Sequence, residues 1–306
     1  MNNEKRQNMK RTMIIITTAI LLTISAFGGY IEERKAAVEL SKGGKQEEAM
    51  AAYIKMAEGN YTDFQKSDAL EQAALSAAAL KQYDRALELA AKIPLEPYSK
   101  TCQMNLMLNN GKGADAAAKF KDEKIEAWPD SIKGEAYYSR ARAFIAVKDG
   151  ASAEKDLAQA VIYSPDSRLK DKALNALAST YAGLLKNDDK AIDTYRKLYD
   201  LGDLNRQSGA VNAIADIYIR QSKFNEALQE LGRVDQSKLQ DPYRRGLMLC
   251  AAGDAMAGAG RKDDAAAKYK EAMQIQNVPE RIKQACEKKI AGLASGAPDQ
   301  KKEAEK

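Results

Sequence analysis

The side chains that could do chemistry in this chain are few in kind. Histidine is absent from all 306 residues, which removes the commonest general base, the commonest metal ligand and every Ser-His or Cys-His nucleophile arrangement. The three cysteines, Cys102, Cys250 and Cys286, are too far apart for a CxxC metal or redox motif, and an odd number cannot close a disulfide framework. They are expected to be buried small hydrophobes. Carboxylates are plentiful, with 43 acidic residues, but glycosidic cleavage needs an acid in an apolar pocket with a second carboxylate nearby. No glutamate lies in an apolar loop that would raise its pKa. These residues point to no catalytic, cofactor or metal site, and a carboxylate-based cell-wall hydrolase on a helical scaffold stands only as an alternative.

Charge narrows the partners. The formal net charge is +5, and Lys5, Arg6, Lys10 and Arg11 against Glu4 supply more than half of it within the first eleven residues. The rest of the chain intersperses acids with bases and presents no basic stripe, so nucleic acid is not an expected partner.

After Lys10 and Arg11 comes TMIIITTAILLTISAFGGYI, twenty residues without a charge, long enough to span a bilayer core of about 30 Å. Basic residues precede it, so the positive-inside rule keeps residues 1–11 cytoplasmic and places everything after Tyr30 on the far side. In a bacterium that is a single inner-membrane pass at 12–30 with a periplasmic body. Ala26-Phe27-Gly28 is also a fair small-x-small cleavage site. Cleavage after Gly28 would leave a soluble periplasmic or secreted protein, while resumption of helical pattern at Tyr30 favours a retained anchor. No cysteine near the segment marks it for lipid attachment.

What must position any functional residue is a repeat. GGKQEEAMAAYIKM, LKQYDRALELAAKI, NGKGADAAAKFKDE, VKDGASAEKDLAQA, KNDDKAIDTYRKLY, QSKFNEALQELGRV and GRKDDAAAKYKEAM each run from a polar turn into an alanine. The aligned alanines, Ala49, Ala86, Ala116, Ala153, Ala191, Ala227 and Ala265, are 30 to 38 residues apart, a period that marks stacked helix pairs. Four residues on, and so on the same helical face, stand Tyr53, Ala90, Phe120, Leu157, Tyr195, Leu231 and Tyr269. Upstream of each turn lies a second pair: Ala37 and Leu40, Ala74 and Ala77, Met104 and Met107, Ala141 and Phe144, Ala178 and Tyr181, Ala215 and Tyr218, Gly253 and Met256. Two helices joined by a short turn approach closely where one presents a small residue and the other fills the space with a large one.

Units of this kind resemble tetratricopeptide repeats over roughly Tyr30 to Val278. The clearest are Gly134–Asp166, with Pro165 ending the second helix as is common in that family, and the unit from Leu249. The pattern departs from the family where Glu33, Leu70, Lys100, Tyr137, Leu174, Val211 and Leu249 occupy the usual tryptophan position. The resemblance implies an all-α solenoid of about seven antiparallel helix-turn-helix repeats, coiled as a right-handed superhelix over 31–278. PERIKQACEKKIAGLASG then sets Ile282, Cys286, Ile290 and Leu293 on one face, a capping helix over 279–296. The polar tail at 297–306 lacks apolar periodicity and is expected to be disordered.

In such a solenoid the first helices line a concave groove for a peptide or partner helix. Counting from the small residue of each first helix, the resemblance places Thr101, Asn105, Asn109, Tyr138, Arg142, Asn175, Ser179, Asn212, Asp216, Arg220 and Asp254 in it. Asn212, Asp216 and Arg220 fall at i, i+4 and i+8, on one stripe. As plain surface residues, Asp216 and Arg220 would form an ordinary i, i+4 ion pair. The Lys and Asn pattern by which some relatives clamp a C-terminal carboxylate is not reproduced. Trp128, next to Pro129, is expected to plug the junction after the short third unit rather than to anchor a partner. Tyr53, Tyr181, Tyr195, Tyr218 and Tyr269 read as packing residues, not as a sugar-stacking stripe. The expected function is a non-enzymatic adaptor for an envelope protein or peptide, with self-assembly into a homo-oligomer as a further reading.

Overall fold

The computed structural model describes residues 29–164 and 166–295. The export segment, Pro165 and the polar tail lie outside the described residues. Among the described residues no helix is long and apolar enough to cross a membrane. The helices fall into two compact units, one ending at Val147 and one beginning at Lys148.

The first unit holds α1 (29–42), α2 (Gln46–Glu58), α3 (Asp63–Ala79), α4 (Tyr83–Ala91), α5 (Glu96–Asn109), α6 (Gly113–Phe120) and α7 (Asp130–Ala146). The second holds α8 (Gly150–Ile162), α9 (Ser167–Gly183), α10 (Asp188–Asp200), α11 (Leu204–Arg220), α12 (Phe224–Leu231), α13 (Pro242–Gly258), α14 (Lys262–Met273) and α15 (Glu280–Ser295). Turns of only a few residues join helices that pack on one another, α3 on α4, α9 on α10, α11 on α12 and α13 on α14, so each pair must run antiparallel. Helix starts are marked by side chains that accept an otherwise orphaned backbone N–H: Thr62 for Gln65, Asp166 for Leu169, Asn187 for Lys190 and Asp203 for Arg206.

The turns themselves repeat. Gly44, Lys81, Gly111, Lys148, Lys186, Ser222 and Gly260 all have positive φ, between 52° and 79°, and each stands five residues before one of the seven aligned alanines. In six of the turns the next residue's N–H returns to the carbonyl of the second residue of the upstream pair: Leu40, Ala77, Met107, Tyr181, Tyr218 and Met256. Those six first helices thus end by the same left-handed, hydrogen-bonded cap. Every aligned alanine then donates its N–H to the residue four before it, at 2.9–3.1 Å. Where the left-handed residue carries a side chain, strain accrues. Lys186→Gly, at an exposed turn, is expected to stabilise the second unit by about 0.5–1 kcal/mol after glycine's entropic cost, read by thermal melting.

All seven aligned alanines are fully buried. So are Tyr53, Ala90, Phe120, Leu157, Leu231 and Tyr269 four residues on, with Tyr195 nearly so. The small-large rule therefore operates as a packing rule. At its tightest, a methyl group on Gly253 of α13 would lie 2.4 Å from Cε1 of Tyr269 on α14, and one on Gly258 would lie 2.2 Å from Cε1 of Phe224 on α12.

The first unit is pinned at its start by a polar clasp, and the second is closed at its end by an apolar cover. In the first, Tyr30 donates to Asp68, and Arg34 Nε reaches the same carboxylate at 2.6 Å, tying α1 to α3. In the second, α15 covers the last pair with Ile282 and Cys286 buried and Ile290 and Leu293 packed beside them, the capping role expected of 279–296. The gap after the short α6 is filled differently from expectation: Ile125, in a 3-10 turn at Ile125–Ala127, is fully buried, while Trp128 is only half-buried. Pro129 holds the residue before it extended (φ −78°, ψ 163°), so Trp128 belongs to the connection into α7 rather than to the plug.

Candidate functional site: the exposed faces of the first helices

Within the first unit α3 touches α5 and α5 touches α7, so successive first helices lie side by side. The polar residues between α5 and α7 converge although 30 to 37 positions separate them. Asn105 Nδ2 donates to Glu135 Oε1 at 3.3 Å, and Asn105 Oδ1 accepts from Ser139 Oγ at 2.8 Å and from Arg142 Nη1 at 3.5 Å. Arg142 Nη2 reaches Asn109 Oδ1 at 3.4 Å, and its guanidinium sits 5.9 Å from the Tyr138 ring. Four of the sequence-derived positions thus form one cluster. Thr101 does not join it, being buried, with Oγ1 donating to the carbonyl of Pro97 one turn back. It is not a lining residue.

Two further members of this cluster were missed, Glu135, which is half-buried, and Ser139, which is fully buried and so links the cluster without lining the face. A signal existed: Glu135, Tyr138, Ser139 and Arg142 stand at i, i+3, i+4 and i+7, a single helical stripe. Glu71 of α3 was missed as well. It lies half-buried on a helix rather than in an apolar loop, and burial, reinforced by the charges of Asp68 and Glu135, raises its carboxyl above the ordinary value of 4.5. An acid whose folded pKa is raised stabilises the fold fully below its unfolded pKa, and that contribution is lost as pH rises through the folded value. Glu71→Gln should therefore raise the melting temperature of the first unit at pH 7, with the difference vanishing at pH 4.

In the second unit Asn175 and Ser179 are exposed on α9, and Asp216 and Arg220 are exposed on α11. Ser179 Oγ lies 3.1 Å from the Tyr195 hydroxyl. Burial raises the Tyr195 pKa, the Asp216 charge adds to the rise, and the Arg220 charge opposes it, so these groups share one electrostatic neighbourhood. Arg220 is engaged across helices: its Nη2 meets Asp188 Oδ1 at 3.0 Å, and Gln221 Nε2 takes Oδ2 of the same carboxylate at 2.8 Å. Asn212 is half-buried, and its side-chain oxygen is enclosed without a hydrogen-bond partner. Asp254 stands apart from this group. It accepts from Tyr269 at 2.7 Å and from Lys289 of α15 at 2.6 Å, so the capping helix occupies the place where a partner would have met it.

Of the cysteines, all three are buried as expected, but Cys250 and Cys286 also bring their sulfurs to 2.7 Å. Among the described residues no three His, Cys, Asp or Glu side chains gather closely enough to hold a metal ion.

No protein-family model matches the chain, and no curated protein matches it. Among solved structures it is similar to a tetratricopeptide repeat protein from Parabacteroides merdae, at 16% identity over 84% of this chain and 97% of that one, with a TM-score of 0.49. It is similar also to BtubC from P. vanneervenii, at 14% identity over 74% and 93%, TM-score 0.49. A third is YrrB, described as a TPR protein with an unusual peptide-binding site, at 16% identity over 78% and 98%, TM-score 0.41. The chain's own geometry gives the assignment: seven left-handed turns, each five residues before a buried alanine, and helices packed in adjacent pairs make this an all-α fold of the tetratricopeptide repeat type.

Proposed function

We propose that the protein is a non-enzymatic interaction scaffold of the bacterial cell envelope, holding an extended peptide or partner helix against the first-helix faces of its units. The observation that carries this reading is the convergence of Asn105, Asn109, Tyr138 and Arg142, from two first helices, on one face with Glu135, joined through the buried Ser139. Such a face offers amide and guanidinium groups that can pair with a peptide backbone and its carboxylates, flanked by an aromatic ring. The packing rule does not need these residues: the buried small and large positions hold the helix pairs together without them. The envelope location rests on the uncharged run after Lys10 and Arg11.

A test is peptide-array binding to the purified body with variants that leave the buried positions intact. Arg142→Glu is expected to weaken bound peptides by about tenfold or more, since a charge-assisted hydrogen bond is worth roughly 1.5–3 kcal/mol. A control on an exposed second-helix position, Glu88→Ala, should change nothing. Equal binding by both variants would refute the assignment of the face.

A further inference from the structure

We propose that Cys250 and Cys286 are a disulfide site, an oxidisable clip tying the C-terminal helix α15 to α13. The two sulfurs face each other at 2.7 Å although 36 residues separate them. Both side chains are buried in the apolar cluster that closes the second unit, with Leu249, Ala265, Tyr269 and Ile282. Two cysteines serving only as small fillers have no need to meet sulfur to sulfur.

The surroundings fix that meeting. Lys289, three residues past Cys286, grips Asp254, four residues past Cys250, and Tyr269 donates to the same carboxylate. One helical turn from the thiols, the clasp sets the register of α15 on α13. The remaining cysteine, Cys102, lies in the first unit, buried in a separate apolar cluster with Leu89, Ile93 and Leu106, so within the second unit each of the pair has the other as its natural partner.

Burial raises the pKa of both thiols, and the thiolate is the attacking species. The bond therefore forms while α15 is folding into place or briefly lifted, not in the closed state. The oxidant is an external disulfide, either a low-molecular-weight one or that of a thiol-disulfide oxidoreductase. Cys286, after losing its proton, attacks one sulfur of that disulfide, and the other sulfur leaves and takes up a proton. Cys250 then loses its proton and attacks the Cys286 sulfur of the mixed disulfide, and the second external sulfur leaves and is protonated in turn. Two protein thiols become one disulfide, and one external disulfide becomes two thiols. Once α15 closes, the bond is shielded from reductants. It also restricts the unfolded chain by closing a long loop.

The experiment is refolding of the full chain in a glutathione redox buffer, followed by acid quench, alkylation under denaturing conditions and peptide mapping. The expected product is lighter by two hydrogens, with Cys250 joined to Cys286 and Cys102 alkylated. Its second unit should melt several degrees above that of the same protein after reduction. Cys102→Ser should keep the crosslink and the shift, and Cys286→Ser should lose both. If Cys286→Ser fails to fold, wild type with and without reductant still gives the comparison. Alkylated or glutathionylated Cys250 and Cys286, pairing of either with Cys102, or a crosslink that leaves melting unchanged would each overturn the proposal.

Discussion

Tyr269→Ala is expected to destabilise the second unit by about 3–5 kcal/mol, the range for truncating a fully buried aromatic side chain. For a domain of this size that lowers its melting temperature by roughly 6–20 °C. Gly253→Ala should act from the other side of the same contact and cost about 1–3 kcal/mol by overpacking, because its Cβ would lie 2.4 Å from the Tyr269 ring. The ring cannot swing aside freely, since its hydroxyl is tethered to Asp254. The two substitutions should not add. Once Tyr269 is an alanine the new methyl at 253 meets open space, so the double variant should be no less stable than Tyr269→Ala alone. An additive double variant would show that the small-large pair does not work as a contact. Differential scanning calorimetry of all four proteins decides it.

Ile282→Asp is expected to detach α15 and cost the second unit about 3–5 kcal/mol, the scale of leaving a buried charge uncompensated. Ile282 is buried against the last pair, and its side chain lies within van der Waals reach of a methyl built on Gly246, so a carboxylate there can reach water only if the helix lifts. Ile282→Val, which keeps the apolar face, should cost about 0.5–1.5 kcal/mol. Fluorescence of a hydrophobic dye should rise for the aspartate variant, as Leu249, Cys250 and Tyr269 lose their cover, and limited proteolysis should release α15 first. Unchanged melting and an uncut α15 would contradict the capping role.

The packing of this protein was legible in its sequence because the rule repeats. One alanine with a large residue four on is ordinary helix composition, but seven alanines in register, six of them with a large residue four on and each preceded by a polar turn, define the helix pairs, and all seven alanines are buried. The capping helix was legible for a related reason, since Ile282, Cys286, Ile290 and Leu293 share one face. The exposed face was only partly legible. Positions counted from one helix alone located Asn105, Asn109, Tyr138 and Arg142, but a single-helix register carries no information about what the neighbouring element covers. Thr101 is therefore buried, and Asp254 is held by Lys289 of a helix 35 residues away in sequence.

Groups whose character comes from tertiary surroundings were invisible for the same reason. Glu71 acquires its raised pKa from burial and from Asp68 and Glu135, the latter on a different helix. The thiols of Cys250 and Cys286 meet only because α15 folds back over α13. Arg220 also meets a carboxylate across helices, at Asp188 of α10, which the spacing along α11 alone could not show.

Site-specific photo-crosslinking in the native cell tests the central claim most directly. Probes placed singly at Asn109, Asn175 and Arg220 report on the first-helix faces, and probes at the exposed second-helix positions Glu88, Lys197 and Lys270 serve as references. The account predicts that the first-helix probes capture one common protein partner and that the second-helix probes do not. Capture confined to the second-helix probes, with the first-helix probes silent, would contradict it.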